Sequence, residues 1–321
     1  MNNVILNTFL AGWCADAIGA QLEFRQRRFT LSEVRDAIKF KGQNFSGVKP
    51  GQYTDDSEME ICLLMGLIDG KEEEYFPIEH IAKRYIEWFK SEPFDIGIAT
   101  TYALTDSTNA EDMINNAYFF NQDSESNGSL MRCIPIAVYG IGKPIEIILD
   151  MTSSDASLTH NSKDVHLITG VYCFIISQIL EHRLAGKNIN ILNLLQTSEN
   201  IISTNDKILQ WFKEALTLSS LEVYNSIINV GHVKHAFIFV IYFLNNIHKF
   251  TYESAIEAVL MCGGDTDTNA KIVGNVFGAF YSDCIPETVL NRVLNFDCTY
   301  PTDFFKRPKI YGINHALKLV N

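Results

Sequence analysis

Between Met59 and Ile68 the chain is apolar on almost every face of a helix, a pattern that suits the interior of a helical bundle. The surrounding segments repeat the helical period. Ile5, Phe9, Trp13 and Ala17 recur at i, i+4 with Leu6 and Leu10 beside them, which predicts a helix ending near Gly19. Ile81, Tyr85, Trp88 and Phe89 predict another, stopped before Pro93. Further helices are predicted over Met131–Tyr139, Lys163–Leu180, Ile191–Glu199, Asp206–Leu216, Lys234–Asn245, Glu253–Met261 and Asn269–Tyr281. Ala236 to Leu244 is β-branched and aromatic enough to suit a buried strand, but its helical neighbours favour helix. No hairpin pattern or Pro/Gly/Ser linker interrupts this order, so residues 1–321 read as a single all-α domain.

The formal net charge of −12 disfavours nucleic acid as a partner, because phosphate contacts need clustered Lys and Arg. The densest basic run, Arg25, Arg27 and Arg28, is too short to change that. No apolar run reaches membrane-spanning length by this reading; the longest candidate is Ala236 to Leu244. Met1-Asn2-Asn3-Val4 lacks the basic start of a signal peptide. The 7 cysteines form no C-x-x-C pair, and Cys14, Cys62, Cys133 and Cys173 lie among apolar neighbours, as reduced core residues do. The expectation is a soluble cytoplasmic protein without nucleic-acid or membrane partners.

Chemistry concentrates in two acidic stretches. Tyr53-Thr54-Asp55-Asp56-Ser57-Glu58 and Gly263-Gly264-Asp265-Thr266-Asp267-Thr268-Asn269 each combine carboxylates with threonine hydroxyls, just before an apolar helix. Helix capping accounts for part of this. Asp55 and Glu58 form a loose capping pair, and Asp267 or Thr268 suits a cap before Asn269. A helix needs one cap residue, however, and adjacent carboxylates repel unless a cation compensates them. Hard oxygen donors of this kind suit Mg²⁺ or Mn²⁺ and not zinc. Gly263 and Gly264 fit the end of the preceding helix and also allow close backbone approach to a ligand.

Other motifs are weaker alone. Asn127-Gly128-Ser129-Leu130-Met131-Arg132 reads as a turn with an N-cap at Ser129, and Thr159-His160-Asn161 precedes a long apolar helix. Ala270, Gly274 and Gly278 form a smooth stripe for close helix packing. His232 and His235 share a helix face but have no third soft ligand nearby, which argues against zinc.

Taken in order, these motifs resemble the ADP-ribosylglycohydrolase family. Its opening G-x-x-x-G-D-A-x-G followed by a glutamate is similar to Gly12-Trp-Cys-Ala-Asp16-Ala-Ile-Gly19 and Glu23, with Ala15 in place of a glycine. Its T-D-D, N-G-S-x-M-R, T-H and G-G-D-T-D-T-N-A motifs are similar to Thr54–Asp56, Asn127–Arg132, Thr159-His160 and Gly263–Ala270. A glycine-containing ending is replaced by Phe280-Tyr281. The resemblance implies an all-α orthogonal bundle with a binuclear metal cleft. It also implies two Mg²⁺ (or Mn²⁺) ions held by Thr54, Asp55, Asp56, Asp265, Asp267 and Thr268. Glu23 is then the candidate acid/base or water-activating carboxylate, assisted by a metal-binding aspartate, Asp55 or Asp267. Asn127, Gly128 and Ser129 would receive the diphosphate, and His160 would contact the ADP-ribose moiety. The partner implied is an ADP-ribosylated protein or a small ADP-ribosyl conjugate. Pro93-Phe94-Asp95-Ile96-Gly97 resembles the D-x-G segment of arginine-type members, so Asp95 is the candidate guanidinium partner. Two alternatives stand beside this: an ADP-ribose-binding member that has lost activity, and an isoprenoid-synthase-like enzyme. The D-D-x-x-D repeat of the latter is absent, since Ser57, Glu58 and Met59 follow Asp55-Asp56.

Overall fold

The computed structural model describes residues 3–23, 25, 27–41, 47–299 and 305–320, and no strand occurs among them. In chain order the helices begin with α1 (Asn3–Gly19), α2 (Leu31–Ile38), α3 (Asp55–Asp69), α4 (Ile78–Phe89), α5 (Ile98–Leu104), α6 (Ala110–Phe120), α7 (Ile134–Tyr139) and α8 (Ile145–Ser157). They continue with α9 (Lys163–Leu184), α10 (Ile191–Ile202), α11 (Asp206–Thr217), α12 (Val233–Asn245), α13 (Tyr252–Cys262), α14 (Thr266–Phe280), α15 (Glu287–Leu294) and α16 (Ile313–Val320). The all-α expectation holds, and Ala236–Leu244 is helix. The chain forms two compact units, Met1–Tyr53 with Ile175–Phe296, and Thr54–Phe174 with Asp297–Asn321.

In the first unit α1 lies against α14, and small residues set how closely. A Cβ on Gly12 would fall 2.6 Å from Asn275 Cγ, one on Gly274 2.7 Å from the Ala11 carbonyl oxygen, and one on Gly278 2.5 Å from Ala11 Cβ. The packing stripe read from the sequence is therefore this helix crossing. Ala15 is tolerated because Gly274 faces it: a Cβ on Gly274 would meet Ala15 Cβ at 2.8 Å. Asn275 Nδ2 donates to the Thr8 carbonyl (2.9 Å), and Tyr252 Oη to the Ala11 carbonyl (2.7 Å). Every residue of α14 from Thr266 to Ala279 is buried.

In the second unit α3 packs on α4, and the buried Glu58 carboxylate ties the two together. Glu58 accepts from Trp88 Nε1 (2.7 Å) and from Arg307 Nε (2.9 Å), while Arg307 also donates to the Ser91 carbonyl (2.9 Å). This corrects the capping pair expected of Asp55 and Glu58. The α3 cap is Thr54, whose hydroxyl accepts from the Asp56 amide, and Glu58 neutralises a buried arginine instead. A carboxylate with a charged partner at 2% exposure gains more there than at a solvated helix end.

Further boundaries differ from the sequence reading. Helix α14 starts at Thr266, with Asp265 as its N-cap position, so Asp267 and Thr268 lie in the first turn and are not caps. Helix α7 starts at Ile134, where Pro135 pre-sets the first turn, and Ser129 caps nothing. Helix α9, at 22 residues, is long and apolar enough by length and composition to cross a membrane, which overturns the expectation that no run was. Scattered Thr, Tyr and Ser hide that length from a search for contiguous apolar residues. Its apolar window is 72% buried, as a core helix is. The cysteines behave as expected: no disulfide forms among the described residues, and Cys14, Cys62, Cys133 and Cys173 are buried.

Candidate functional site

The end of α1 and the start of α14 are fastened together in the first unit. Thr266 Oγ1 donates to the Gly19 carbonyl (2.9 Å), and Gly19 has no room for a side chain: a Cβ there would lie 2.5 Å from Asp267 Cα. Past Gly19 the chain tightens into a turn, with Leu22 N donating to the Gly19 carbonyl (2.9 Å). That turn delivers Glu23 to the acidic end of α14. Glu23, Asp265 and Asp267 each bring a carboxylate oxygen to within 4.8 Å of the other two. Asp267 is buried, as is Thr268 beside it, whereas Glu23 and Asp265 are half-buried. The donor set is entirely hard oxygen and includes no His or Cys, so it fits Mg²⁺, Mn²⁺ or Ca²⁺ and does not fit zinc. Three mutually repelling carboxylates in so small a volume also favour a compensating cation. The residues present therefore fit the divalent metal that the sequence resemblance implies.

The second unit holds the other acidic motif and the glycine loop. Thr54, Asp55 and Asp56 stand at the N-terminus of α3, all buried, where the helix dipole favours negative charge. Thr54 Oγ1 lies 3.5 Å from Asp56 Oδ2. The Asn127–Met131 segment is a tight turn, in which the Leu130 and Met131 amides donate to the Asn127 carbonyl at 2.9 and 3.0 Å. Ser129 is buried and bonds Thr169 Oγ1 at 3.1 Å. Gly128 lies over the His160 ring: a Cβ would sit 3.1 Å from its Cε1.

His160 is fully buried, and its two ring nitrogens bond the Ser126 and Thr159 hydroxyls, both at 2.8 Å. Burial, with help from the Arg132 cation and His166, pushes its pKa down to about 3, so the ring is neutral at physiological pH. Its carbonyl accepts from His166 Nε2 (2.7 Å). Asp95 occupies the loop between α4 and α5, half-buried, next to Phe94, whose ring lies 4.7 Å from that of Phe305.

Two supporting residues carried no assigned role in the sequence reading. Arg132, fully buried, bonds Asp155 through Nε (3.1 Å), reaches the Gly128 carbonyl through Nη1 (3.4 Å), and lies over the Tyr85 ring at 4.6 Å. Tyr85 Oη completes the set by donating to Asp155 (2.8 Å). Arg132 stands inside the N-G-S-x-M-R motif, so its position was visible there. Asp155 had no such signal, being one of three acidic residues on α8.

A family model described as ADP-ribosylglycohydrolase matches residues 2–314. The chain belongs to the ADP-ribosylglycohydrolase family. It is accordingly a glycosidic-bond hydrolase acting on ADP-ribosyl linkages, which decides against the isoprenoid-synthase alternative. A protein of Acanthamoeba polyphaga mimivirus, named provisionally as an ADP-ribosyl glycohydrolase, is 29% identical over 97% of this chain and 99% of its own length. The ADP-ribosyl-(dinitrogen reductase) glycohydrolase of Rhodospirillum rubrum is 24% identical over 90% of this chain and 89% of its own. A solved structure described as an ADP-ribosylglycohydrolase-related protein complex has the same fold, with a TM-score of 0.71 at 22% identity, covering 91% of this chain and 92% of that one.

Proposed function

We propose that this glycohydrolase releases ADP-ribose from modified arginine side chains and depends on two divalent cations, Mg²⁺ or Mn²⁺. Asp265, Asp267 and Thr268 would hold them from the start of α14, and Thr54, Asp55 and Asp56 from the start of α3. The observation that carries the reading is the approach of Glu23, Asp265 and Asp267 to within 4.8 Å. When bound, the cations supply charge compensation and a clamp on the vicinal hydroxyls of the ribose.

The remaining chemistry falls to the chain's own groups. Hydrolysis forms a bond from a water oxygen to the anomeric carbon and breaks the bond from that carbon to the guanidinium nitrogen. Positive charge builds on the sugar ring meanwhile, as in other glycosidic cleavages. One water proton must end on the departing nitrogen. Glu23, half-buried beside two other carboxylates, is the group we assign to carry it. The tight 127–131 turn would present backbone N–H groups to the diphosphate. His160 would act through that turn, because both of its ring nitrogens are already engaged. Asp95 would pair with the leaving guanidinium. The Rhodospirillum relative's name, which specifies an ADP-ribosylated protein, supports a protein substrate here.

Peptides carrying ADP-ribosyl-arginine or ADP-ribosyl-serine, assayed with and without EDTA, test the reading. Turnover on the arginine peptide should vanish with EDTA and in Asp267→Asn. Glu23→Gln should slow turnover by about 10²–10⁴-fold while ADP-ribose binding survives. Release from serine alone rejects the arginine assignment, and full activity in EDTA rejects the metals.

A further inference from the structure

The irregular segment between α11 and α12 runs alongside the α14 acidic motif. Resting on the reading that Asp265 and Asp267 hold a divalent cation, we propose that Ser226 is a positioning residue for that cation: its hydroxyl fixes the Gly263-Gly264 turn that aims Asp265.

Gly263 and Gly264 both adopt positive φ, 73° and 75°. Two successive glycines have more conformational freedom than any other dipeptide, so the turn they make needs outside restraint to hold one geometry. That restraint comes from two sides. A Cβ on Gly263 would lie 2.7 Å from the Arg27 carbonyl oxygen, and one on Gly264 2.9 Å from the Ser226 carbonyl carbon. The turn is thus pressed between two backbone segments. Ser226 Oγ then donates to the Gly263 carbonyl at 2.8 Å. Ser226 is 1% exposed, whereas its neighbours Asn225 and Ile228 are exposed. This bond orients the peptide plane between the two glycines, and Asp265 follows directly.

The segment bearing Ser226 is itself anchored. Arg28 donates to the Glu222 and Tyr224 carbonyls. Cys262 Sγ lies 3.5 Å from the Leu221 carbonyl oxygen. His235 Nε2 donates to the Ile228 carbonyl (2.8 Å), which leaves Nδ1 to accept from Tyr224 Oη (2.7 Å). Burial lowers the His235 pKa, in keeping with that neutral ring. A hydroxyl held this firmly against a glycine turn restrains it, whereas one on a loose loop would not.

The probe is Mn²⁺ alone, its free concentration read by electron paramagnetic resonance during titration of the full chain. Ser226→Ala should raise the Mn²⁺ dissociation constant about tenfold, the lower end of what losing an outer-shell hydrogen bond does. Ser226→Thr keeps the hydroxyl and should restore binding. Ser220→Ala, which removes a hydroxyl bonded to the Glu222 amide on the same segment, should leave it unchanged. Wild-type affinity in folded Ser226→Ala, or an equal loss in Ser220→Ala, overturns the proposal. Should the alanine variant fail to fold, Ser226→Cys decides in the same way, its thiol being a weaker donor. No Mn²⁺ binding by the wild type would instead sink the metal reading, and this inference with it.

Discussion

Replacing Gly19 by alanine should damage catalysis more than it damages folding. The new Cβ would lie 2.5 Å from Asp267 Cα and 2.6 Å from Asp267 N, with the Thr266 carbonyl oxygen nearer still. All three obstacles are backbone, so no side chain can rotate away. Ordinary contact between such atoms starts near 3.5 Å, and the end of α1 and the first turn of α14 must therefore part by about 1 Å. Overpacking of this kind typically costs about 1–3 kcal/mol of stability. The same shift separates Glu23 from Asp265 and Asp267, and a misplacement of about 1 Å in a catalytic group can reduce rate about 10²-fold. Gly186→Ala provides the comparison: it has positive φ (65°) but nothing within 4 Å of the new Cβ. It should cost about 1–2 kcal/mol through backbone strain alone and leave kcat/KM unchanged. Urea unfolding and kcat/KM on an ADP-ribosylated peptide measure both effects. A folded Gly19→Ala enzyme with wild-type kcat/KM would refute the idea that this contact sets the distance between Glu23 and the α14 carboxylates.

Other outcomes follow from the same structure. Glu58→Ala strands Arg307 in a buried position, and urea denaturation should show a loss of about 3–5 kcal/mol. Gly274→Ala should destabilise by about 1–3 kcal/mol, and adding Ala15→Gly should recover part of this by removing the facing methyl; additive losses would contradict that contact. His160 keeps a folded pKa of about 3, below its unfolded value near 6.5. The unfolded chain therefore binds a proton that the folded chain refuses, so the stabilising contribution is present above pH 6.5 and declines as pH falls toward 3. The slope is about 1.4 kcal/mol per pH unit for this one group. Urea melts of wild type and His160→Gln between pH 7 and pH 5 should show a shallower decline in the variant.

Helices buried on several faces were legible from the sequence because they repeat apolar residues at the helical period, as α1, α3, α12 and α14 do. Shorter helices such as α5 and α15 offer too few turns for that pattern to emerge. Helix α2 did carry a usable signal, the Thr30 and Glu33 capping box. The start of α14 was placed three residues late because Thr266, Asp267 and Thr268 contribute nothing to an apolar period. Of the two acidic motifs, the second is the one whose carboxylates, Asp265 and Asp267, gather with Glu23. Glu58 misled because i, i+3 spacing resembles a capping pair, whereas its partner Arg307 lies 249 residues away. The same distance problem hid Ser226 and Asp155: each acts on a turn that no local pattern connects to it.

The partnership of Glu58 with Arg307 bears on how this enzyme is made. Helix α3, whose opening residues include Asp55 and Asp56, contains an acidic side chain whose counterion, Arg307, is translated 249 residues later. A nascent chain halted before residue 307 would carry Glu58 without its arginine one turn from those aspartates, so the segment is completed only after residue 307 has been made. Ribosome-bound fragments ending at 300 and the released 321-residue chain should then differ sharply in protease resistance around residues 54–69.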